Sequence, residues 1–142
     1  MQSPARYLGL DFGDKTIGMA IASPDGLVAT GLTTLRRDDP AALRPAIRAL
    51  GEYVKQYGIT HVVLGFPKHM DGNLSPRCAA TQAFADKLQR HYKRLVIVLW
   101  DERLSTQAVA RTFAGNRTHF KEKVDEMAAV YILQGYLDSR KE

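Results

Sequence analysis

The stretch Leu8-Gly9-Leu10-Asp11-Phe12-Gly13 decides how this chain is read: an apolar strand ends on a carboxylate and turns at once on glycine. An ionised Asp buried alone is costly, so Asp11 is expected where the strand tip opens onto a cleft. Carboxylate oxygens held on a rigid element are what hard divalent cations require, and such cations serve phosphate chemistry. Two later acids repeat the pattern. Glu102 stands just after the apolar run Leu95 to Trp100, and Asp125 stands at the start of an apolar helical segment.

Working outward, Tyr7 to Phe12 is followed after a short Gly-Asp-Lys turn by Ile17 to Ala22, and after Pro24-Asp25-Gly26 by Leu27 to Leu35. The short spacing and the turn residues make an antiparallel meander. A helix is expected from about Asp38-Asp39-Pro40, carrying Leu43, Ile47, Leu50 and Val54 on one face and stopping at Gly58. Ile59 to Phe66 reads as a buried strand, Ser75-Pro76 opens a second helix, and Leu95 to Trp100 reads as a further buried strand. A third helix from Ser105 or Thr106 to about Ala114 and a last one from Val124 to Leu137 complete the order. Strands separated by helices pair in parallel through right-handed crossovers. The expected fold is therefore α/β, a mixed five-stranded sheet with helices on both faces, in one domain spanning residues 1–142. Strand ends carrying Asp11 and Glu102 can then meet at one edge of the sheet, where α/β folds bind ligands.

Composition narrows the class. Hydrophobic residues make up 45% and charged residues 25%, and no apolar run approaches the roughly 20 residues a bilayer span needs. A membrane partner is therefore not expected. The single cysteine, Cys78, excludes an internal disulfide and fits a reducing, cytoplasmic setting, with Cys78 itself read as a small helix residue. Twenty Lys and Arg against fifteen Asp and Glu leave a net charge of +5, compatible with a polyanionic partner.

Asp11, Glu102 and Asp125 form a candidate triad of metal ligands and catalytic residues. Carboxylates so grouped suit two-metal phosphodiester hydrolysis, in which two Mg²⁺ or Mn²⁺ ions about 3.5–4 Å apart flank the scissile phosphate. Three carboxylates also repel one another, so cation binding should relax the empty protein. Asp101, beside Glu102, is read as a helix-entry cap, with an alternative or supporting ligand as the other reading.

Four segments, LGLDFGDKTIGMAI, VVLGFPKHMDG, VLWDERLSTQAVA and VDEMAAVYILQGYLD, resemble the YqgF family, also called RuvX, in order and spacing from Tyr7 to Asp138. That resemblance implies a ribonuclease H-like fold and a metal-dependent nuclease, described in the family as maturing the 5′ end of pre-16S ribosomal RNA or resolving Holliday junctions. Carried over by residue, the first-strand aspartate falls on Asp11, the glutamate of the DERLST motif on Glu102, and the aspartate opening the last helix on Asp125. Related resolvases often place a further acid on the fourth strand, where Gly65-Phe66-Pro67 offers none, so Glu102 supplies that ligand.

For nucleic-acid contact the candidates are Lys15, Lys68, Arg103, Arg111 and Arg117, with Lys121 and Lys123 beside them. The substrate would be pre-rRNA or branched DNA, the protein a monomer or a homodimer. The aromatics Tyr53, Tyr57, Phe84, Tyr131 and Tyr136 fall at helical spacing and read as core rather than as base-stacking platforms. Two other classes use similar residues. An actin-like sugar kinase also begins with an aspartate-and-glycine hairpin, but it needs two copies of such a fold to enclose a nucleotide. A non-catalytic assembly factor would keep the basic residues without the chemistry. Phosphate neutralisation by Lys and Arg releases counterions. Affinity for RNA or DNA should therefore fall steeply as salt rises from 50 to 200 mM, about tenfold or more for even two or three phosphate contacts, measured by fluorescence anisotropy.

Overall fold

The computed structural model describes residues 4–39, 41–66, 76–101 and 120–140, with the side chains of 120–125 left aside. Eight elements follow in order: β1 (Tyr7–Phe12), β2 (Thr16–Ala22), β3 (Ala29–Arg36), α1 (Arg44–Tyr57), β4 (His61–Phe66), α2 (Pro76–His91), β5 (Val96–Asp101) and α3 (Phe120–Ser139). The sheet order is β3-β2-β1-β4-β5. β1 pairs antiparallel with β2 and parallel with β4, and β4 pairs parallel with β5. This is the expected mixed five-stranded sheet. The expected helix over Ser105 to Ala114 lies outside the described residues.

Strand alternation divides the core between the two faces. Leu8, Leu10 and Phe12 of β1 pack with Ile17, Met19, Val62 and Leu64 beneath α1 and α2 residues such as Ile47, Leu50, Phe84 and Leu88. Tyr7, Ala20, Ala22 and Val63 pack on the other face with Ala129, Ile132, Leu133 and Leu137 of α3. Phe84 is fully buried and stacks on Phe12 at 4.4 Å, and Cys78 is buried within α2, as expected of a core aromatic and a small helix residue.

Four expectations need correction. β3 starts at Ala29 rather than Leu27, because Ser23 to Val28 closes its own turn: Gly26 has φ +73°, Leu27 N–H donates to Asp25 Oδ1 and Val28 N–H to Ser23 Oγ. α1 starts at Arg44, not near Asp38. Asp39 Oδ1 accepts from Ala41 N–H in a turn of its own, and Pro45, having no N–H to give, is accommodated in the first helical turn. The helix does end at Gly58, in the left-handed region at φ +63°, with its N–H on the Val54 carbonyl. β5 is not a buried strand: it lies at one end of the sheet order, and Val96 and Leu99 are 47% and 38% exposed. A continuous apolar run looks the same in a central strand and in such a position. Finally, Tyr131 is 42% exposed, because the neighbouring Ile132 and Leu133 take the buried stripe of α3.

α3 approaches the sheet closely at one point. A Cβ on Gly9 would stand 2.6 Å from Leu133 Cβ and 3.0 Å from the Ala129 carbonyl oxygen, so glycine alone fits there. Gln134 ties the helix to the β2–β3 turn, accepting from Ala29 N–H and donating to the Leu27 carbonyl, each at 2.9 Å. Among the described residues no helix is long and apolar enough to cross a membrane. Gly9→Ala should push α3 away and destabilise the fold by about 1–3 kcal/mol, the usual cost of overpacking, read as a lower urea midpoint.

Candidate active site at the tip of β1

Asp11 stands on the central strand one residue before its end and is 4% exposed. Alternation from Tyr7 and Gly9 puts its side chain on the face covered by α3. Its neighbours on the two flanking strands are glycines. Gly18 is its register partner on β2. On β4, Gly65 follows Leu64, the partner of Leu10. Gly65 in turn pairs with Trp100, whose indole packs against Gly135 of α3. The carboxylate thus has a glycine beside it on each flanking strand.

The turn that follows Asp11 is fastened from β3. Gly13 N–H donates to the Thr16 carbonyl at 2.9 Å, and Arg37 N–H donates to the Lys15 carbonyl at 2.7 Å. The Arg37 side chain, 8% exposed, lies over the Phe12 ring at 4.5 Å and donates through Nη1 to the carbonyls of Gly13 and Asp14. Burial draws the Arg37 guanidinium below its ordinary pKa, against the raising effect of Asp14 and Asp39, and it stays charged. Lys15 is exposed at the turn, adjoining Asp14.

A second arginine reaches the carboxylate itself. Arg77, the second residue of α2, places Nη2 3.4 Å from Asp11 Oδ1 and 3.4 Å from the Phe12 carbonyl oxygen, with its side chain 46% exposed and that of Asp11 5%. This pair brings the start of α2 onto the tip of β1.

The other expected residues are placed only in part. Asp125 lies in α3, one helical turn before Ala129, the residue whose carbonyl approaches Gly9; its side chain is not among those described. Glu102, Lys68, Arg103, Arg111 and Arg117 lie outside the described residues. Asp101 closes β5, exposed, opposite Phe66. Among the described residues no group of three His, Cys, Asp or Glu side chains is gathered to hold a metal. What is described suits a cation all the same. A buried carboxylate on a rigid central strand offers the hard oxygen that a divalent cation takes.

Arg37 and Arg77 were both missed in the sequence. Arg37 stands in the run Arg36-Arg37-Asp38-Asp39, which reads as solvated charge. Arg77 left one faint sign: a cation just after a helix-opening Pro76, at the end of the helix that repels it. At the opposite end of the strands, His61 Nδ1 lies 2.7 Å from Thr60 Oγ1, and burial, with Arg140 nearby, lowers its pKa.

The sheet order and the carboxylate at the tip of its central strand define a ribonuclease H-like α/β domain. Solved structures share it. Thermus thermophilus RuvC in complex with a Holliday junction substrate matches with a TM-score of 0.61 at 14% identity, over 95% of each chain. The yeast mitochondrial Holliday junction resolvase Ydc2 matches with a TM-score of 0.60 at 12% identity, over 96% of this chain and 79% of that one. The family model RuvX, described as Holliday junction resolvase, matches residues 5–139, and the chain belongs to that family. A Bacillus pumilus relative named "Putative pre-16S rRNA nuclease" is 47% identical over 137 residues, 94% of this chain and 98% of that protein.

Replacing Arg37 by Met keeps much of its volume but leaves the Gly13 and Asp14 carbonyls without that donor. A loss of about 1–3 kcal/mol in unfolding free energy is expected, measured by urea denaturation.

Proposed function

We propose that this protein is a metal-dependent endonuclease that hydrolyses phosphodiester bonds in structured RNA and processes the 5′ end of pre-16S rRNA. The observation that carries the reading is Asp11, a buried carboxylate on the central strand with Gly18 and Gly65 beside it. Membership of a family described as resolvase and the name carried by close relatives support nucleic acid as the substrate class.

Asp11, Glu102 and Asp125 would hold the ions. Glu102 directly follows Asp101 at the end of β5, two residues beyond Trp100, which packs on the α3 side. Asp125 belongs to α3. When bound, Mg²⁺ or Mn²⁺ would activate water and stabilise the leaving oxygen. The chain's own part is positional. The ladder to β2 pairs Asp11 with Gly18, the ladder to β4 holds the strand up to Leu10, and Arg37 fixes the turn after it. Lys15 projects from that turn where a phosphate of the bound strand can meet it, and Lys68, Arg103, Arg111 and Arg117 are assigned to further phosphates. No side chain is required as a general base, since the water would be activated in place. A monomer suffices for a single cut, whereas symmetric junction cleavage calls for a homodimer.

The test is cleavage of an RNA carrying the 16S 5′ leader and of a four-way DNA junction, with Mg²⁺, with Mn²⁺ and with chelator. Asp11→Asn should lose at least about 100-fold in rate, more than is lost when residues that merely support metal ligands are changed. Full activity in Asp11→Asn would remove the site assignment. Cutting of the junction alone would move the substrate to branched DNA, and salt-sensitive binding without cutting would leave an assembly factor.

A further inference from the structure

Arg77 occupies a place that its own helix does not favour. It is the second residue of α2, in a first turn without an acidic side chain, at the end of the helix where the dipole repels a cation. Its backbone is nevertheless held in place, because the buried Thr81 hydroxyl donates to the Arg77 carbonyl at 2.8 Å. The side chain remains half exposed while Nη2 rests 3.4 Å from both Asp11 Oδ1 and the Phe12 carbonyl oxygen. Charge-assisted hydrogen bonds are ordinarily about 2.7–2.9 Å, so the guanidinium lies against the carboxylate without being locked to it. A hard cation such as Mg²⁺ takes a carboxylate oxygen at about 2.0–2.1 Å and competes directly for the same atom.

We infer that Arg77 is a displaceable counter-ion: it neutralises Asp11 while no cation is bound, and once displaced it becomes a ligand for a phosphate of the nucleic-acid strand. This rests on the reading of Asp11 as a cation ligand. The guanidinium is suited to the second task by its planar fork, which matches phosphate oxygens in pairs. It is suited also by its place, half exposed at the start of α2 beside the tip of β1. The exchange gives the guanidinium an anionic partner at each stage. A buried carboxylate faces a guanidinium in the empty protein, and a phosphate faces it in the loaded one.

The experiment compares the wild type with Arg77→Gln, which keeps a donor and loses the charge. Mn²⁺ binding is followed by the electron paramagnetic resonance of free Mn²⁺, without nucleic acid. RNA binding is followed by anisotropy of a labelled oligonucleotide at 4 °C, with Mn²⁺ and with chelator. Arg77→Gln should bind Mn²⁺ about two- to fivefold more tightly, as expected for removal of a half-exposed competing charge. With Mn²⁺ present it should bind RNA about tenfold more weakly than the wild type, and with chelator the two should bind alike. Unchanged Mn²⁺ affinity, or an RNA defect of equal size with and without Mn²⁺, would overturn the inference and leave an ordinary structural or surface contact. Failure of both proteins to bind Mn²⁺ would overturn it at its root, together with the metal reading of Asp11. Should Arg77→Gln not fold, Arg77→Lys keeps the charge and loses the fork. That variant should keep wild-type Mn²⁺ affinity and still lose RNA affinity when Mn²⁺ is present, and an RNA affinity equal to wild type would count against the inference.

Discussion

A carboxylate held almost out of water at the tip of the central strand is the constraint on which the rest of the structure turns. An ionised Asp at 4% exposure needs a compensating charge close by. In this fold the compensation comes from another element: Arg77 at the start of α2 reaches across the end of β1. The central position of β1 makes Asp11 hard to move, because β2 and β4 are laddered to the strand on either side. Rigidity and a buried charge are thus built into one place.

The α3 side of the sheet is shaped by subtraction. Gly18 and Gly65 remove side chains from the flanking strands, and Gly9, two residues earlier, lets α3 come down onto the sheet. The small residues Ala128 and Ala129 serve the same close approach from the helix. Gln134 then fixes the helix lengthwise by completing the hydrogen bonds of the β2–β3 turn, much as a neighbouring strand would. The depth of α3 over the sheet is therefore set by glycine where a larger residue would otherwise stand.

Much of the fold was legible because its signals are local. The meander of β1, β2 and β3 announces itself through turn residues at short spacing, and the stop of α1 at Gly58 is a backbone requirement written in a single residue. Asp11 was legible for the same reason, an acid ending an apolar strand. Other features were not, and each failed for a physical cause. The start of α1 lay in a competition between acids that favour a cap and a proline that must sit in the first turn. The exposure of β5 depends on which strands stand beside it, and Tyr131 on which of several apolar neighbours face the sheet. Arg37 and Arg77 read as ordinary surface charge, since nothing adjoining them in the chain points to the turn or the carboxylate they meet.

By itself, the sequence determined the order of strands and helices, the class of the fold and the candidate acids, because periodicity, turn chemistry and a recurrent set of motifs are properties of neighbouring residues. Tertiary structure alone decided that glycines on two other strands flank Asp11, that α3 closes over it through Gly9, and that an arginine 66 residues along the chain supplies its counter-charge. Those facts depend on distances between segments remote in sequence. A buried charge makes them matter, since Coulomb and desolvation energies respond to what stands within a few ångströms and not to what stands next in the chain.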